Sequence, residues 1–134
     1  MRRLTVVQLL PALSSGGVER SALEIGSALV AAGHRSLVVS AGGRLVPALE
    51  AAGSEHITLD IGRKSPTSLR HVASLRRLFA EERADIVHAR SRLPAWLAWH
   101  ALSSRHSPRT HFVTTVHGMN SPGRYSGIMA RGER

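Results

Sequence analysis

Three short stretches of this chain gather residue types that can hold anions and exchange protons. The first is "SSGGVER", residues 14–20, where Gly16 and Gly17 stand between the apolar run "LTVVQLL" and a segment of helical periodicity. Without side chains, two glycines allow close backbone approach and unusual dihedrals. The unpaired N–H groups of a starting helix carry partial positive charge, so such a loop can hold a phosphate. The same residues can also form a tight turn with no ligand. The second stretch is "IVHARSR", in which His88 ends an apolar run and Arg90 and Arg92 follow in the connection. Forked guanidinium contacts suit phosphate and carboxylate, so this pair reads either as clamps for an anionic acceptor such as a phosphorylated sugar or as solvated loop arginines. The third is "TTVHG", where His117 ends a strand beside Gly118. An imidazole there can donate or accept a hydrogen bond at neutral pH, or be satisfied by the neighbouring backbone.

Several familiar chemistries are excluded. The dinucleotide fingerprint requires G-x-G-x-x-G and an acidic residue after the second strand, but that strand ends "SAGG", and no lysine follows the Gly16–Gly17 loop as a Walker sequence would require. The chain has no cysteine, which removes disulfides, thiolate metal sites and cysteine nucleophiles. There is no H-E-x-x-H, and His100, His106 and His111 fall in different predicted elements, so no metal is expected. Asp60, Asp85 and Glu19 have no visible carboxylate partner, and no catalytic base is assigned.

Eighteen Lys+Arg against nine Asp+Glu give a formal charge of +9, which favours anionic partners, although a GC-rich genome also biases a chain toward arginine. Nucleic acid is disfavoured, because the arginines are scattered and aromatics make up only 4% of the residues, leaving no stacking platform. At 134 residues with 43% hydrophobic content, one domain with a genuine core is the ceiling. The basic tip and apolar run of "MRRLTVVQLLPALSSGG" faintly resemble a signal peptide, but Gln8 interrupts the run and the segment fits better as a first strand. No stretch reaches the roughly 18 apolar residues of a membrane-spanning helix, so a cytoplasmic location is expected.

The elements that must position these residues alternate. Leu4–Leu10 is an apolar run expected of a strand buried on both faces of a parallel sheet. Val18, Ala22, Ile25, Leu29 and Ala32 recur at helical spacing and stop at Gly33. Strands are predicted at "SLVVS", "HITLD", Asp85–Ala89 and His111–His117. Helices are predicted at "LVPALEAAG", from a Ser65–Pro66 start along the stripe Leu69, Val72, Leu75 and Phe79, and from Pro94 to Ser104. Trp96 and Trp99 are too close for one helical face, so one is expected in the core and the other partly exposed. Strand–helix alternation implies right-handed βαβ units and a doubly wound α/β parallel sheet. A further helix is predicted to start at Tyr125, and the chain ends at "ARGER" where another strand is due, so it reads as a fragment.

"GGVERSALEIGSALVAAGHRSLVVS", followed by "ADIVHARSRLPAWLAW" and "TTVHG", resembles the N-terminal Rossmann-like domain of family 4 glycosyltransferases of the GT-B fold, most closely bacterial enzymes of lipopolysaccharide core or other surface glycans. The resemblance implies that residues 1–134 form the acceptor-side domain, with a donor-binding C-terminal domain and its glutamate pair outside these residues. It implies a nucleotide sugar as donor, its diphosphate beside Gly16 and Gly17, its sugar near His117, a retaining mechanism and no cofactor. The acceptor is expected to be an anionic glycolipid or glycan, bound through His88, Arg90 and Arg92. Peripheral contact with acidic lipid at the inner face of the plasma membrane is expected as well. The alternative from another class is a non-catalytic anion-binding or membrane-associated α/β module.

Overall fold

The computed structural model describes residues 3–13, 16–62, 68–103 and 110–115. The elements run β1 (Thr5–Leu9), α1 (Gly17–Ala31), β2 (Arg35–Ser40), α2 (Val46–Ala51), β3 (Glu55–Thr58), α3 (Ser68–Glu81), β4 (Ile86–Ala89), α4 (Arg92–Ser103) and β5 (His111–Thr114). All five strands pair in parallel in the order β3-β2-β1-β4-β5, so the doubly wound α/β sheet forms as the alternation predicts. The Ser65–Pro66 helix start, the continuation of the fifth strand to His117 and the helix predicted from Tyr125 lie outside the described residues.

The strands are 4 to 6 residues long, and the central β1 and β2 are almost wholly buried, which is why they read as apolar runs rather than as alternating patterns, whereas the edge strands β3 and β5 are partly exposed. Successive side chains still point to opposite faces. On one face Val7, Leu9, Val39 and Val87 meet Leu75 and Phe79 of α3 and Leu97 of α4. On the other, Val38 and Leu10 pack with Ala22 of α1 and Leu49 of α2. At the amino edge, Arg35 holds Glu55 of β3 (Nε to Oε2, 3.0 Å) and Glu82 beyond α3, and the Asp85 carboxylate accepts the Thr5 N–H at 2.8 Å. The hydrogen bond that Arg35 donates to Glu55 is the largest of the influences that raise the Arg35 pKa above the ordinary arginine value. These ion pairs hold strand ends together on the side of the sheet away from the helix N-termini that follow β1 and β4.

Three packing details differ from the periodicity. In α1, Ile25 is 36% exposed and the buried contact falls on Ala22 and Gly26. The reason is close approach: Gly26 rests against the buried Ser54–Ser36 hydroxyl pair (2.8 Å), with no room for a larger side chain. In α3, Val72, Leu75 and Phe79 are buried, but Leu69, in the first turn, is 75% exposed. In α4 neither tryptophan is in the core: Trp96 and Trp99 are 47% and 43% exposed. Trp96 meets the His100 ring one turn later in a tilted contact (54° between planes), and Trp99 leans on Phe112 of β5. The small residues Ala95, Ala98 and Ala101, with Leu97, form the buried face of α4 instead. The helix begins at Arg92, two residues before Pro94, because a proline in a first turn forfeits no intrahelical hydrogen bond.

A β-branched side chain at Gly26 would meet Ser54 Oγ at 2.6 Å from its Cβ. Gly26→Val should therefore cost about 1–3 kcal/mol of stability, the usual penalty for overpacking a filled interior, measured as a lowered urea midpoint with unchanged slope.

Candidate functional site

In a sheet of this topology the strand order reverses between β1 and β4, and the helices that follow those two strands depart to opposite faces. The crevice between them, beyond the carboxyl ends of the strands, is flanked by the N-termini of α1 and α4. The chain leaving β1 is fixed before it reaches α1. Leu13 N–H donates to the Gly42 carbonyl (2.9 Å), Ala41 N–H to the Pro11 carbonyl (2.9 Å) and Leu45 N–H to the Leu13 carbonyl (2.9 Å), lacing this loop to the connection after β2.

Gly16 is the N-cap of α1 and Gly17 its first helical residue. Gly16 has φ −151° and ψ 173°, extended backbone open to any residue, and neither glycine has positive φ, so the unusual dihedrals expected of the pair are not there. What the glycines supply is access. Among the described residues a Cβ on Gly17 would have nothing within 4 Å, and the atoms nearest to a Cβ on Gly16 belong to the Glu19 side chain. As a glycine, the N-cap residue offers no side-chain hydrogen bond to the first turn. Glu19 folds its carboxylate back toward Gly16, placing one negative group where the helix dipole favours it.

Beneath α1 lies a polar cluster inside the fold. Gln8, in the middle of β1, is fully buried and donates from Nε2 to the Ala22 carbonyl of α1 at 3.1 Å. Arg90, just past β4, is 4% exposed; its Nη1 donates to Gln8 Oε1 (3.0 Å) and its Nη2 to Ser21 Oγ (2.7 Å). Burial pushes the Arg90 pKa below its ordinary value. Arg90 is thus not a surface residue of the connection, since the alternation of β4 turns it inward under α1. Arg92 is exposed at the start of α4. His88 pairs in register with Gln8, is half-buried, and has Nε2 3.1 Å from Thr115 Oγ1 at the end of β5. His117 lies outside the described residues. Neither Gln8 nor Ser21 is among the site residues that the sequence motifs point to. A glutamine interrupting a strand buried on both faces was the available signal, because it must find partners.

At the neighbouring β2 end, Ser40 Oγ accepts the Gly42 N–H (3.0 Å) and lies 2.7 Å from His56 Nε2. Burial lowers the His56 pKa, against an opposing pull from Glu50. Among the described residues no group of three His, Cys, Asp or Glu side chains is placed to hold a metal ion.

A doubly wound sheet with an open helix N-terminus at its switch point defines a class of nucleotide-handling α/β domains, and similarity to known proteins narrows it. The chain matches Glycosyltransferase Family 4 over residues 15–134, and it belongs to that family. A glycosyltransferase from Rickettsia africae ESF-5 is 34% identical, with a TM-score of 0.79 over 98% of this chain and 35% of its own. Anabaena HepE, solved in complex with UDP and glucose, is 18% identical with a TM-score of 0.68 over 96% of this chain and 34% of its own. The calicheamicin glycosyltransferase CalG4 is 16% identical with a TM-score of 0.60 over all of this chain and 37% of its own. These are GT-B glycosyltransferases, and the present fold is that of their N-terminal domain. The chain spans about a third of the length of these structures. No curated protein matches it.

A histidine whose folded pKa is lowered binds its proton more weakly than in the unfolded chain, whose ordinary value is 6.5. The stability contributed by neutral His56 is present above that value and is lost as pH falls through it toward the folded pKa. The urea midpoint should drop between about pH 7.5 and pH 5.5, and the drop should shrink in His56→Gln.

Proposed function

We propose that this chain is the acceptor-side domain of a sugar-nucleotide-dependent glycosyltransferase that transfers a sugar to a lipid-linked or phosphorylated glycan of the cell envelope. The observation that carries this reading is the α1 N-terminus of a family 4 domain, open at Gly17 and aimed at the switch-point crevice. In the reaction the bond between the anomeric carbon and the diphosphate oxygen breaks and an acceptor hydroxyl forms the new bond, giving up its proton. Negative charge grows on the departing nucleoside diphosphate, and backbone N–H donors at Gly17 and the residues after it are suited to stabilise it. His117 is assigned to the donor sugar. Arg92, exposed where a helix N-terminus already favours anions, and His88 are assigned to the anionic acceptor. A second domain outside residues 1–134 supplies the rest of the nucleotide-sugar site, and the mechanism retains anomeric configuration.

None of the described helices is long and apolar enough to cross a membrane; access to a lipid-linked acceptor is assigned to the periphery, at the inner face of the plasma membrane. The exposed Trp96 and Trp99, with Arg92 at the head of the same helix, support that part of the reading.

The test uses the whole enzyme. Because nothing lies within 4 Å of a Cβ on Gly17, Gly17→Val should fold with stability within about 0.5 kcal/mol of the parent, yet weaken nucleoside diphosphate binding in calorimetry by about tenfold or more. His117→Ala should leave that affinity in place and slow sugar transfer by about a hundredfold. A Gly17→Val enzyme that binds and turns over like the parent would reduce the glycines to a turn.

A further inference from the structure

Arg90 has a property that an acceptor contact would not need. It is 4% exposed, its two hydrogen-bond acceptors, Gln8 Oε1 and Ser21 Oγ, are neutral, and its buried Nε has no hydrogen-bond partner. Among the described residues no ion pair reaches it. Desolvation works against its charged form. A buried cation without a carboxylate is costly, and an apolar side chain of similar length would fill the same space at lower cost. The position of the charge supplies a reason for it. Ser21 is one helical turn below Gly17 on the same face of α1, so the guanidinium lies about 5–6 Å along the helix from the open N-terminus.

We propose that Arg90 is a positioning residue for the donor: a fixed internal cation that ties α1 to β1 and, with the helix N-terminus, makes the Gly16–Gly17 loop attractive to a diphosphate. The inference rests on the assignment of that loop to the diphosphate. It moves Arg90 from the acceptor to the donor side of the reaction. A positive group held away from water is little screened by salt, so it attracts a multiply charged anion across a distance at which a surface arginine would not. Because it never touches the ligand, Arg90 acts through α1, and the Gln8 and Ser21 hydrogen bonds keep its charge under that helix. Glu19, whose carboxylate reaches toward Gly16, is the group that an arriving diphosphate would have to displace.

The experiment measures inorganic pyrophosphate affinity and urea midpoint together on the full-length enzyme. Arg90→Met removes a buried charge but leaves Gln8 Oε1 without its donor, two effects of opposite sign on the midpoint, so the midpoint should change little while pyrophosphate binding weakens by about tenfold. Arg90→Lys, which keeps the charge without the fork, should stay within about threefold of the parent affinity, and Ser21→Ala, which loosens the anchor but keeps the charge, should do the same. Should Arg90→Met fail to fold, Gln8→Leu combined with Arg90→Met removes both polar partners and serves in its place. Parental affinity in the Met variant would overturn the proposal. It would be overturned as well if Lys, Met and Ala variants lost midpoint and affinity in parallel, since that is the signature of a packing role. Gly17→Val separates the two layers: if it leaves pyrophosphate binding unchanged, the diphosphate reading itself has failed, and if it weakens binding while Arg90→Met does not, only the role of Arg90 is wrong.

Discussion

Five strands running in one direction force every connection to climb back over a face of the sheet, and every helix then starts where a strand has just ended. The N–H ends of α1 and α4 are therefore delivered to one edge, and the reversal of order at β1/β4 separates them into a crevice. Nearly everything proposed about this chain depends on that delivery. The glycines matter because they lie at the first of these helix starts, Arg92 because it heads the second, and Arg90 because β4 turns it inward between them. The acidic side chains Glu55, Glu82 and Asp85 are drawn into contacts at the opposite edge, away from the starts of α1 and α4.

Among the buried polar groups of the described residues, one line, Gln8–Arg90–Ser21, runs from the central strand to α1. Such a line is an inefficient way to stabilise a fold, since apolar residues of similar volume serve as well or better. Its value is in fixing where α1 begins relative to the sheet and in carrying charge to that point. The close fit of Gly26 on Ser36 and Ser54 restrains the same helix further along.

The architecture was legible from sequence because buried parallel strands and amphipathic helices carry strong patterns. "LTVVQLL" and "SLVVS" are strands, and α1 and α3 fall within a few residues of where periodicity puts them. What periodicity cannot see is distance between elements. It assigned Ile25 to the buried stripe because it is apolar, whereas the helix lies so close to β2 that only Gly26 fits. It sought a core place for one tryptophan, whereas alanines allow α4 to pack tightly and leave both rings outside. For the Gly16–Gly17 loop, sequence offered two properties of glycine, close backbone approach and unusual dihedrals; the structure has the open backbone at Gly17 and no positive φ at either residue. Arg90 was legible as an anion-binding type of residue but not as a buried one, because burial depends on the pairing of β4 with β1, eighty-two residues apart in the case of the Arg90–Gln8 bond.

The central claim is that the open α1 N-terminus receives the diphosphate of a nucleotide sugar. Its most direct test is a titration of the isotopically labelled full-length enzyme with a nucleoside diphosphate, followed through the backbone amide resonances. Direct contact predicts that the Gly17 and Val18 amides shift first and furthest, saturating with the binding isotherm, while amides at the amino edge around Arg35 and Glu55 stay in place. Saturable binding that leaves Gly17 and Val18 unmoved would contradict it.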